Sequence, residues 1–129
     1  MFVVRKSNIE GKGLFTSLPI AARRKLGELT GERISLREAR RRVRNLKHIA
    51  IVEMNESAID ESGPGGGPFR YINHSCSPNS YIRIAYQRVE FYSLRKIRAG
   101  EELTCDYGLS QHEGTLPCRC KSSKCKKFL

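Results

Sequence analysis

The segment Arg70–Asn79 holds the densest group of side chains in this chain that could do chemistry. Its functional groups are two amides, an imidazole and a thiol, contributed by Asn73, Asn79, His74 and Cys76. Amides and imidazoles bind ligands through hydrogen bonds, and a thiolate coordinates metal ions. A polar loop between two strands would have a similar composition. The remaining motifs therefore decide between a binding site and an ordinary loop.

The cysteines indicate a metal site. The chain has five of them, Cys76, Cys105, Cys118, Cys120 and Cys125, and three are crowded near its end. An odd number does not suit a fully paired disulfide scaffold, and the ring between Cys118 and Cys120 is too short to close without strain. The spacing Cys-x-Cys-x4-Cys resembles three thiolate ligands of a tetrahedral zinc ion. Cys76 is the natural fourth ligand, which leaves Cys105 as a free thiol; free or redox-active thiols are the alternative.

Length and charge limit the class of protein. The chain has 129 residues and a formal net charge of +11, from 24 Lys and Arg against 13 Asp and Glu. This length predicts one domain, and the charge attracts polyanions or partners that accompany them. The chain shows neither a signal-peptide pattern nor an apolar run of membrane-spanning length. We therefore expect no membrane association and a soluble intracellular protein, in the nucleus on chromatin if eukaryotic and in the cytoplasm if bacterial.

A glycine pair near the start is a second candidate site. It follows a predicted strand, Phe2–Arg5, and consists of Gly11 and Gly13 on either side of Lys12. Glycines let backbone approach a ligand without interference from side chains. The third glycine and the alternating strand-helix-strand pattern of a dinucleotide site are missing. Alone, the pair is more typical of a turn than of a site.

A helix is predicted from Ser35 to His48. Ser35 and Glu38 fit a capping box, in which the Ser35 hydroxyl accepts from the Glu38 amide and the Glu38 carboxylate reaches back to the Ser35 amide. One face is apolar and the other is basic, with Arg37, Arg40, Arg41, Arg42, Arg44 and Lys47. Such a face is usually solvated, and non-specific contact with nucleic-acid phosphates is the alternative.

The rest of the chain has the pattern of short strands. Apolar runs, several of them alternating with polar residues, predict strands within Ile20–Ile34, Ile49–Met54, Ala58–Asp60, Tyr81–Ala85 and Val89–Leu94. The last two form a predicted hairpin around Gln87 and Arg88, and Ala99 and Gly100 predict a turn. Many short strands with one helix and no helical crossovers favour a mainly β, antiparallel fold.

Taken in order, the motifs resemble a known family. Gly11–Phe15, Glu28 with Thr30–Glu32, Arg70–Asn79, Glu102–Gly108 and the Cys118-x-Cys120-x4-Cys125 cluster are similar to those of SET-domain protein lysine methyltransferases with a post-SET zinc-binding tail. The resemblance implies small curved antiparallel sheets, one short amphipathic helix and a knot-like C-terminal threading. It further implies a SET domain over residues 1–110 and a post-SET segment over residues 111–129.

The same resemblance implies roles for individual residues. S-adenosylmethionine is expected to be bound by Gly11, Lys12, Gly13, Arg70, Asn73, His74, Tyr107, Phe128 and Leu129. Tyr107 is the implied catalytic residue, and Tyr71 and Cys105 would line the channel for the substrate lysine. One structural zinc would be held by Cys76, Cys118, Cys120 and Cys125. The implied substrate is a protein lysine, with a histone tail favoured.

Departures from the family pattern bear on substrate and product. Leu29 stands where the family commonly has an aromatic residue, and Gly66 and Gly67 replace a Gly-Asn pair. Cys105 stands where the family usually has Phe or Tyr. A smaller side chain would widen the channel, which predicts the addition of two or three methyl groups, unless a neighbour such as Tyr71 fills the space.

Two other classes of protein remain open on the sequence. A small basic zinc module could bind nucleic acid or chromatin without catalysis, although its ligands would be split between residue 76 and the chain's end, unlike those of a zinc finger. A SET fold that has lost its activity is the third. In either case Tyr107 could be an ordinary turn residue, Arg70 an ion-pair partner, and Phe128 and Leu129 a frayed end.

Overall fold

The computed structural model describes residues 1–44, 51–54, 56–61 and 67–106. The strands are β1 Phe2–Lys6, β2 Lys12–Thr16, β3 Lys25–Glu28, β4 Glu32–Ser35, β5 Ile51–Glu53, β6 Ser57–Asp60, β7 Asn73–His74, β8 Ser80–Ala85, β9 Arg88–Ser93 and β10 Thr104–Cys105. One α-helix, α1, spans Leu36–Val43, and a 3₁₀ turn spans Pro68–Tyr71. The prediction of a mainly β fold with one amphipathic helix is confirmed for these residues.

Within the described ranges the strands form three small sheets. β1 pairs with β2, the second sheet has the order β4-β6-β5, and the third has the order β3-β9-β8-β10-β7. β10 lies between β7 and β8 and is parallel to both, so the third sheet is mixed while the other described pairings are antiparallel. Parallel neighbours need a long connection rather than a hairpin, and β10 follows β7 and β8 only after such connections. This pairing brings together the two motifs of the predicted knot-like threading, Arg70–Asn79 and Glu102–Gly108, as far as Asp106; residues 107 and 108 lie outside the described ones.

A hydrophobic core joins the sheets. Leu14, Val89, Ile97 and Leu103 are fully buried in it. The Phe69 ring lies 5.2 Å from that of Phe91 in a stacked arrangement. A second, smaller cluster lies beneath the helix and contains Ile34, Ala39, Ile51 and Ala58. The β4-β6-β5 sheet contributes to both clusters, with Ile59 in the main core and Ala58 in the smaller one, so burial on both of its faces helps to hold the sheets in one unit.

The helix begins as predicted at a serine cap. The Ser35 Oγ accepts from the backbone N–H of Glu38 at 3.1 Å. The reciprocal half of the predicted capping box is wrong, because the Glu38 carboxylate is bound instead by Arg41 at 2.6 Å and by Arg42 at 2.9 Å. Hydrogen bonds from these two arginines lower the pKa of Glu38 to about 2. None of the helices in the described ranges is long and apolar enough to cross a membrane.

Two arginines of the helix's basic face, Arg40 and Arg42, pair with acids of the neighbouring sheet. Arg42 lies 2.9 Å from a carboxylate oxygen of Glu32 and 2.9 Å from one of Asp60. Arg40 lies 3.4 Å from Glu53. These pairs reduce the charge available to a phosphate backbone. Contact with nucleic acid through this helix stays a prediction, and its predicted last turn, residues 45–48, lies outside the described residues.

The predicted hairpin is present, with its turn one residue earlier than expected. Ala85 pairs with Arg88, so the turn consists of Tyr86 and Gln87. Both have positive φ, 51° and 58°, the backbone of a type I′ turn in which Asn and Gly are favoured. Tyr86 is 86% exposed and gains little packing in return. The turn therefore holds non-glycine residues in a strained conformation.

We expect Tyr86→Asn to raise the free energy of unfolding by about 0.5–1 kcal/mol, because asparagine tolerates this backbone better than tyrosine does. Urea denaturation of the variant measures the change. Leu18→Asn is the control, since Leu18 is also exposed and has an ordinary backbone conformation. Equal effects of the two substitutions would mean that surface polarity, rather than turn strain, decides the result.

Candidate functional site

One amide side chain anchors the loop between β1 and β2. The Asn73 Nδ2 lies 3.0 Å from the backbone oxygen of Glu10, 3.2 Å from that of Lys12 and 2.9 Å from Oε2 of Glu102. Asn73 itself is buried. The structure therefore brings the predicted Gly11–Gly13 loop against the predicted Asn73–His74 motif, although the two are far apart in the sequence.

Glu102 completes this anchor and is the main residue that the sequence analysis missed as a site residue. The Ser7 hydroxyl donates to the Glu102 carboxylate, at 2.8 Å to Oε1 and 2.9 Å to Oε2. The same hydroxyl accepts from the backbone N–H of Ile9 at 2.9 Å. The one sequence feature that could have pointed to Glu102 is its position at the start of the Glu102–Gly108 motif. Its partner Ser7 lies 95 residues earlier, which local sequence patterns do not reveal.

The two glycines of the loop are required for different reasons. A Cβ on Gly13 would lie 2.3 Å from Oε2 of Glu102, so the space beside Gly13 is occupied by this carboxylate rather than left for a ligand. Gly11 has a φ of +46°, which favours glycine, and nothing lies within 4 Å of the position of its Cβ. A bound molecule could therefore approach the backbone at Gly11, while the Cβ side of Gly13 serves the contact with Glu102 and leaves only the Gly13 backbone for a ligand.

The Asn73–His74 motif is fixed by β10. Asn73 pairs with Thr104 and His74 pairs with Cys105 in the parallel arrangement. Buried His74 lies between two further predicted site features, with Nε2 3.3 Å from the sulfur of Cys76 and Nδ1 3.8 Å from a carboxylate oxygen of Asp106. This pairing brings the central motif beside the segment that leads to Tyr107. Tyr107 itself lies outside the described residues.

Cys105 is a neutral, buried thiol. It is 1% exposed and belongs to the main hydrophobic core, against which Tyr71 also packs. Burial, with a smaller contribution from the Asp106 charge, raises the pKa of Cys105 to about 12. The thiol is therefore protonated at neutral pH and suited to packing rather than to nucleophilic or metal chemistry.

Arg70 and Tyr71 lie together on the 3₁₀ turn. The Arg70 Nη2 donates to the Tyr71 hydroxyl at 3.0 Å, and the guanidinium carbon lies 4.9 Å from the centroid of the Tyr71 ring. The backbone N–H of Arg70 donates to Oε1 of Glu61 at 2.7 Å. The predicted cofactor residue and the predicted channel residue are thus in direct contact.

The predicted zinc ligands are described only in part. Cys76 is partly buried. Among the described residues no group of three metal-binding side chains occurs. The other predicted ligands, Cys118, Cys120 and Cys125, and the predicted cofactor residues Phe128 and Leu129 lie outside the described residues.

Comparison with known proteins identifies this arrangement. A family model described as the SET domain matches residues 11–108, which include the glycine loop, the Asn73–His74 motif and the β10 segment. The chain belongs to the SET domain family. The motif resemblance noted in the sequence is confirmed at the level of this domain. The post-SET zinc tail is not part of the match.

Several relatives of this SET domain are named as histone-lysine N-methyltransferases. The trithorax enzyme of Drosophila virilis is 32% identical over 134 residues, which cover 98% of this chain and 4% of that protein. The H3 lysine-4 specific enzyme of Saccharomyces cerevisiae is 35% identical over 136 residues, covering 96% and 13% respectively. Histone-lysine N-methyltransferase 2B of Homo sapiens is 32% identical over 136 residues, covering 98% and 5%. The chain thus spans only a small part of the length of these relatives.

Proposed function

We propose that this SET domain is an S-adenosylmethionine-dependent protein-lysine N-methyltransferase that acts on histone tails. The observation that carries the proposal is the convergence of the Gly11–Gly13 loop, the Asn73–His74 pair and the Glu102–Asp106 segment at one place. The family match and the printed names of the relatives support the same reaction class. Because those relatives are far longer, their substrates and partners support the proposal without defining it.

The residues present fit the cofactor. The loop backbone is held in one shape by the Asn73 amide, and open space adjoins Gly11. Such preorganisation lowers the entropy cost of binding. We assign the cofactor to Gly11, Lys12, Gly13, Arg70, Asn73 and His74, with Tyr107, Phe128 and Leu129 completing the site.

When bound, S-adenosylmethionine supplies an electrophilic methyl group on a positively charged sulfur. The chain's own residues must then deliver a neutral lysine amine, although the ordinary pKa of lysine is about 10.4. An apolar channel disfavours the charged ammonium and so lowers the pKa of the substrate amine. We assign Tyr71 and Cys105 to this channel. The Tyr107 hydroxyl would orient the amine. Alignment of the reacting groups alone can lower the activation free energy by several kcal/mol.

The test combines binding with transfer. Isothermal titration with S-adenosylmethionine, followed by transfer of a labelled methyl group to core histones, should give saturable binding and labelled histone lysines. Binding without transfer to histones or to a whole-cell extract would indicate a SET fold without activity. A protein that binds DNA but not S-adenosylmethionine would overturn the proposal. It would favour the alternative of a basic nucleic-acid- or chromatin-binding module.

The zinc tail forms the second part of the proposal. We place the SET domain at residues 1–110 and a post-SET segment at residues 111–129, with one structural zinc held by Cys76, Cys118, Cys120 and Cys125. The described surroundings of Cys76 suit a ligand, because the His74 ring nitrogen lies 3.3 Å from its sulfur and can orient it. Metal analysis of purified protein should give one zinc per chain, and zinc-free active protein would contradict this assignment.

Partner and location follow from the same proposal. A histone substrate places the enzyme in the nucleus on chromatin, where its net charge of +11 favours proximity to DNA. Non-specific contact through the helix from Ser35 to His48 would add to this attraction. The salt dependence of binding to DNA measures that contribution.

We expect the wild-type enzyme to add two or three methyl groups, because Cys105 is smaller than the aromatic residue usual in the family. Cys105→Tyr should then stall the reaction at one methyl group. Mass spectrometry of a peptide substrate at long reaction times distinguishes the products. A wild-type product that stops at one methyl group would mean that a neighbour such as Tyr71, which packs against the same core, fills the channel.

A further inference from the structure

Glu61, directly after β6, carries a carboxylate that is fully buried. Its Oε1 accepts from the backbone N–H of Arg70 at 2.7 Å. Its Oε2 accepts from the backbone N–H of Thr30 and lies 3.4 Å from the Thr30 hydroxyl. The Arg70 guanidinium in turn lies 3.4 Å from the backbone oxygen of Glu61. One carboxylate thus connects the segment after β3 to the 3₁₀ turn.

A buried carboxylate is costly unless both of its oxygens are satisfied. Burial raises the pKa of Glu61, while the N–H donors of Thr30 and Arg70 favour the charged form. The ionised carboxylate can accept from both backbone donors. A glutamine of the same size would present an acceptor to only one of them. The negative charge of Glu61 therefore allows one side chain to hold the backbone at Thr30 and at Arg70 at the same time.

Close packing surrounds this connection. A Cβ on Gly67, at the start of the turn, would lie 2.6 Å from the Thr30 Oγ1 and 3.5 Å from Oε2 of Glu61. On the other side of the turn, a Cβ on Gly27 would lie 2.4 Å from the Phe69 ring. The 3₁₀ turn is thus held against the end of β3 by the Glu61 carboxylate and the Phe69 ring.

We propose that Glu61 is a positioning residue for the cofactor site, which sets the position of Arg70 and, through Arg70, that of Tyr71. The Arg70 Nη2 lies 3.0 Å from the Tyr71 hydroxyl, so displacement of Arg70 also displaces this ring. The inference rests on the proposed function, because Arg70 and Tyr71 are assigned there to the cofactor and to the lysine channel. The inference adds Glu61 to the proposed site as a residue that acts through Arg70 and contacts neither S-adenosylmethionine nor the substrate lysine.

The test compares Glu61→Gln with Glu53→Gln. Glu53 is a half-buried carboxylate in the same sheet that pairs with Arg40, outside the proposed site. For Glu61→Gln we expect the Kd and the KM for S-adenosylmethionine to rise about tenfold. Losing one hydrogen bond to the charged carboxylate lowers the fraction of folded protein in which Arg70 holds its position, and the apparent affinity falls with that fraction. The KM for the peptide substrate should rise as well, because Tyr71 is assigned to the lysine channel. The kcat at saturating concentrations of both substrates should change by less than about threefold. Glu53→Gln should leave all of these constants unchanged.

This split distinguishes positioning from a merely structural role. A structural role would lower the folded fraction and the kcat per chain, and would leave the Kd of the folded protein unchanged. Should Glu61→Gln fail to fold, Gly67→Ala provides a second variant, because its Cβ displaces the Thr30 hydroxyl while the carboxylate remains. It should raise the Kd in the same direction by a smaller factor.

The outcomes separate the two proposals. Wild-type Kd values in a folded Glu61→Gln protein, or in Gly67→Ala where the first variant does not fold, would overturn the role of Glu61 and leave the proposed function in place. A wild-type protein that neither binds S-adenosylmethionine nor transfers methyl groups would overturn the proposed function and the cofactor role of Glu61 with it. A raised Kd and KM with a retained kcat supports both.

Discussion

Glu102→Gln is expected to weaken S-adenosylmethionine binding roughly 10- to 100-fold, since a hydrogen bond to a charged group contributes about 1.5–3 kcal/mol. The carboxylate accepts from the Ser7 hydroxyl with both oxygens and from the Asn73 amide with one. In the glutamine variant one carboxylate oxygen is replaced by an NH₂ group, which cannot accept a hydrogen bond, so one of these donors would lose its acceptor. The loop that carries Gly11 would then spend part of its time in other shapes, and the apparent affinity falls with the binding-competent fraction.

Isothermal titration measures this loss, and the neighbouring Glu101→Gln is the matched control. Glu101 is also a carboxylate, but its side chain is bound by Arg95 at 3.0 Å, by the Arg98 backbone N–H at 3.0 Å and by the Asn79 amide at 3.5 Å. Because none of these groups belongs to the loop that carries Gly11, the control should bind the cofactor as the wild type does. Equal losses in both variants would mean that negative charge near the site, rather than the anchor to Ser7 and Asn73, governs affinity.

The motifs, which lie in the family's order, predicted which segments of the chain meet, while the roles of their residues stay predictions. Asn73, His74 and the glycine loop were expected together, and the structure brings Asn73 within 3.2 Å of the Lys12 backbone oxygen. Strand positions were predicted best where polar and apolar residues alternate, as in the hairpin of β8 and β9. The predicted position of the turn was one residue too late, because Tyr86 and Gln87 lack the Asn-Gly sequence typical of a type I′ turn.

Carboxylates that connect separate segments were the hardest features to predict. Glu61 and Glu102 are of a residue type that usually lies on the surface, and each has a donor that is far away in the sequence. The partners of Glu61 are Thr30 and Arg70, which are 31 and 9 residues away. Their roles depend on which loops the fold brings together, and no local pattern encodes that.

The same reasoning explains the basic helix. Its arginines predict an exposed cationic face when the helix is considered alone. In the fold, Arg42 meets Glu32 and Asp60, which belong to β4 and β6. The parallel placement of β10 is likewise a consequence of distant pairing. Local periodicity can predict that a strand exists but not the direction of its neighbour.

Tyr107→Phe is expected to lower kcat roughly 10²- to 10³-fold, a typical effect of removing one group that stabilises or orients the reacting atoms. The substitution deletes only the hydroxyl and keeps the ring. The Kd for S-adenosylmethionine should therefore stay within about threefold of the wild-type value, since the lost interaction is made with the substrate amine during transfer. Single-turnover transfer to a histone peptide, with titration calorimetry alongside, measures both quantities.

The control for this substitution is Tyr92→Phe. Tyr92 lies on β9, where its ring stacks on that of Tyr81 at 5.6 Å, outside the proposed site. It should leave kcat unchanged. The two variants should differ in which constant changes. Glu102→Gln should raise the Kd for S-adenosylmethionine, whereas Tyr107→Phe should lower kcat and leave that Kd nearly unchanged. Near-normal turnover by Tyr107→Phe would remove Tyr107 as the catalytic residue and leave alignment by the channel as the source of the rate.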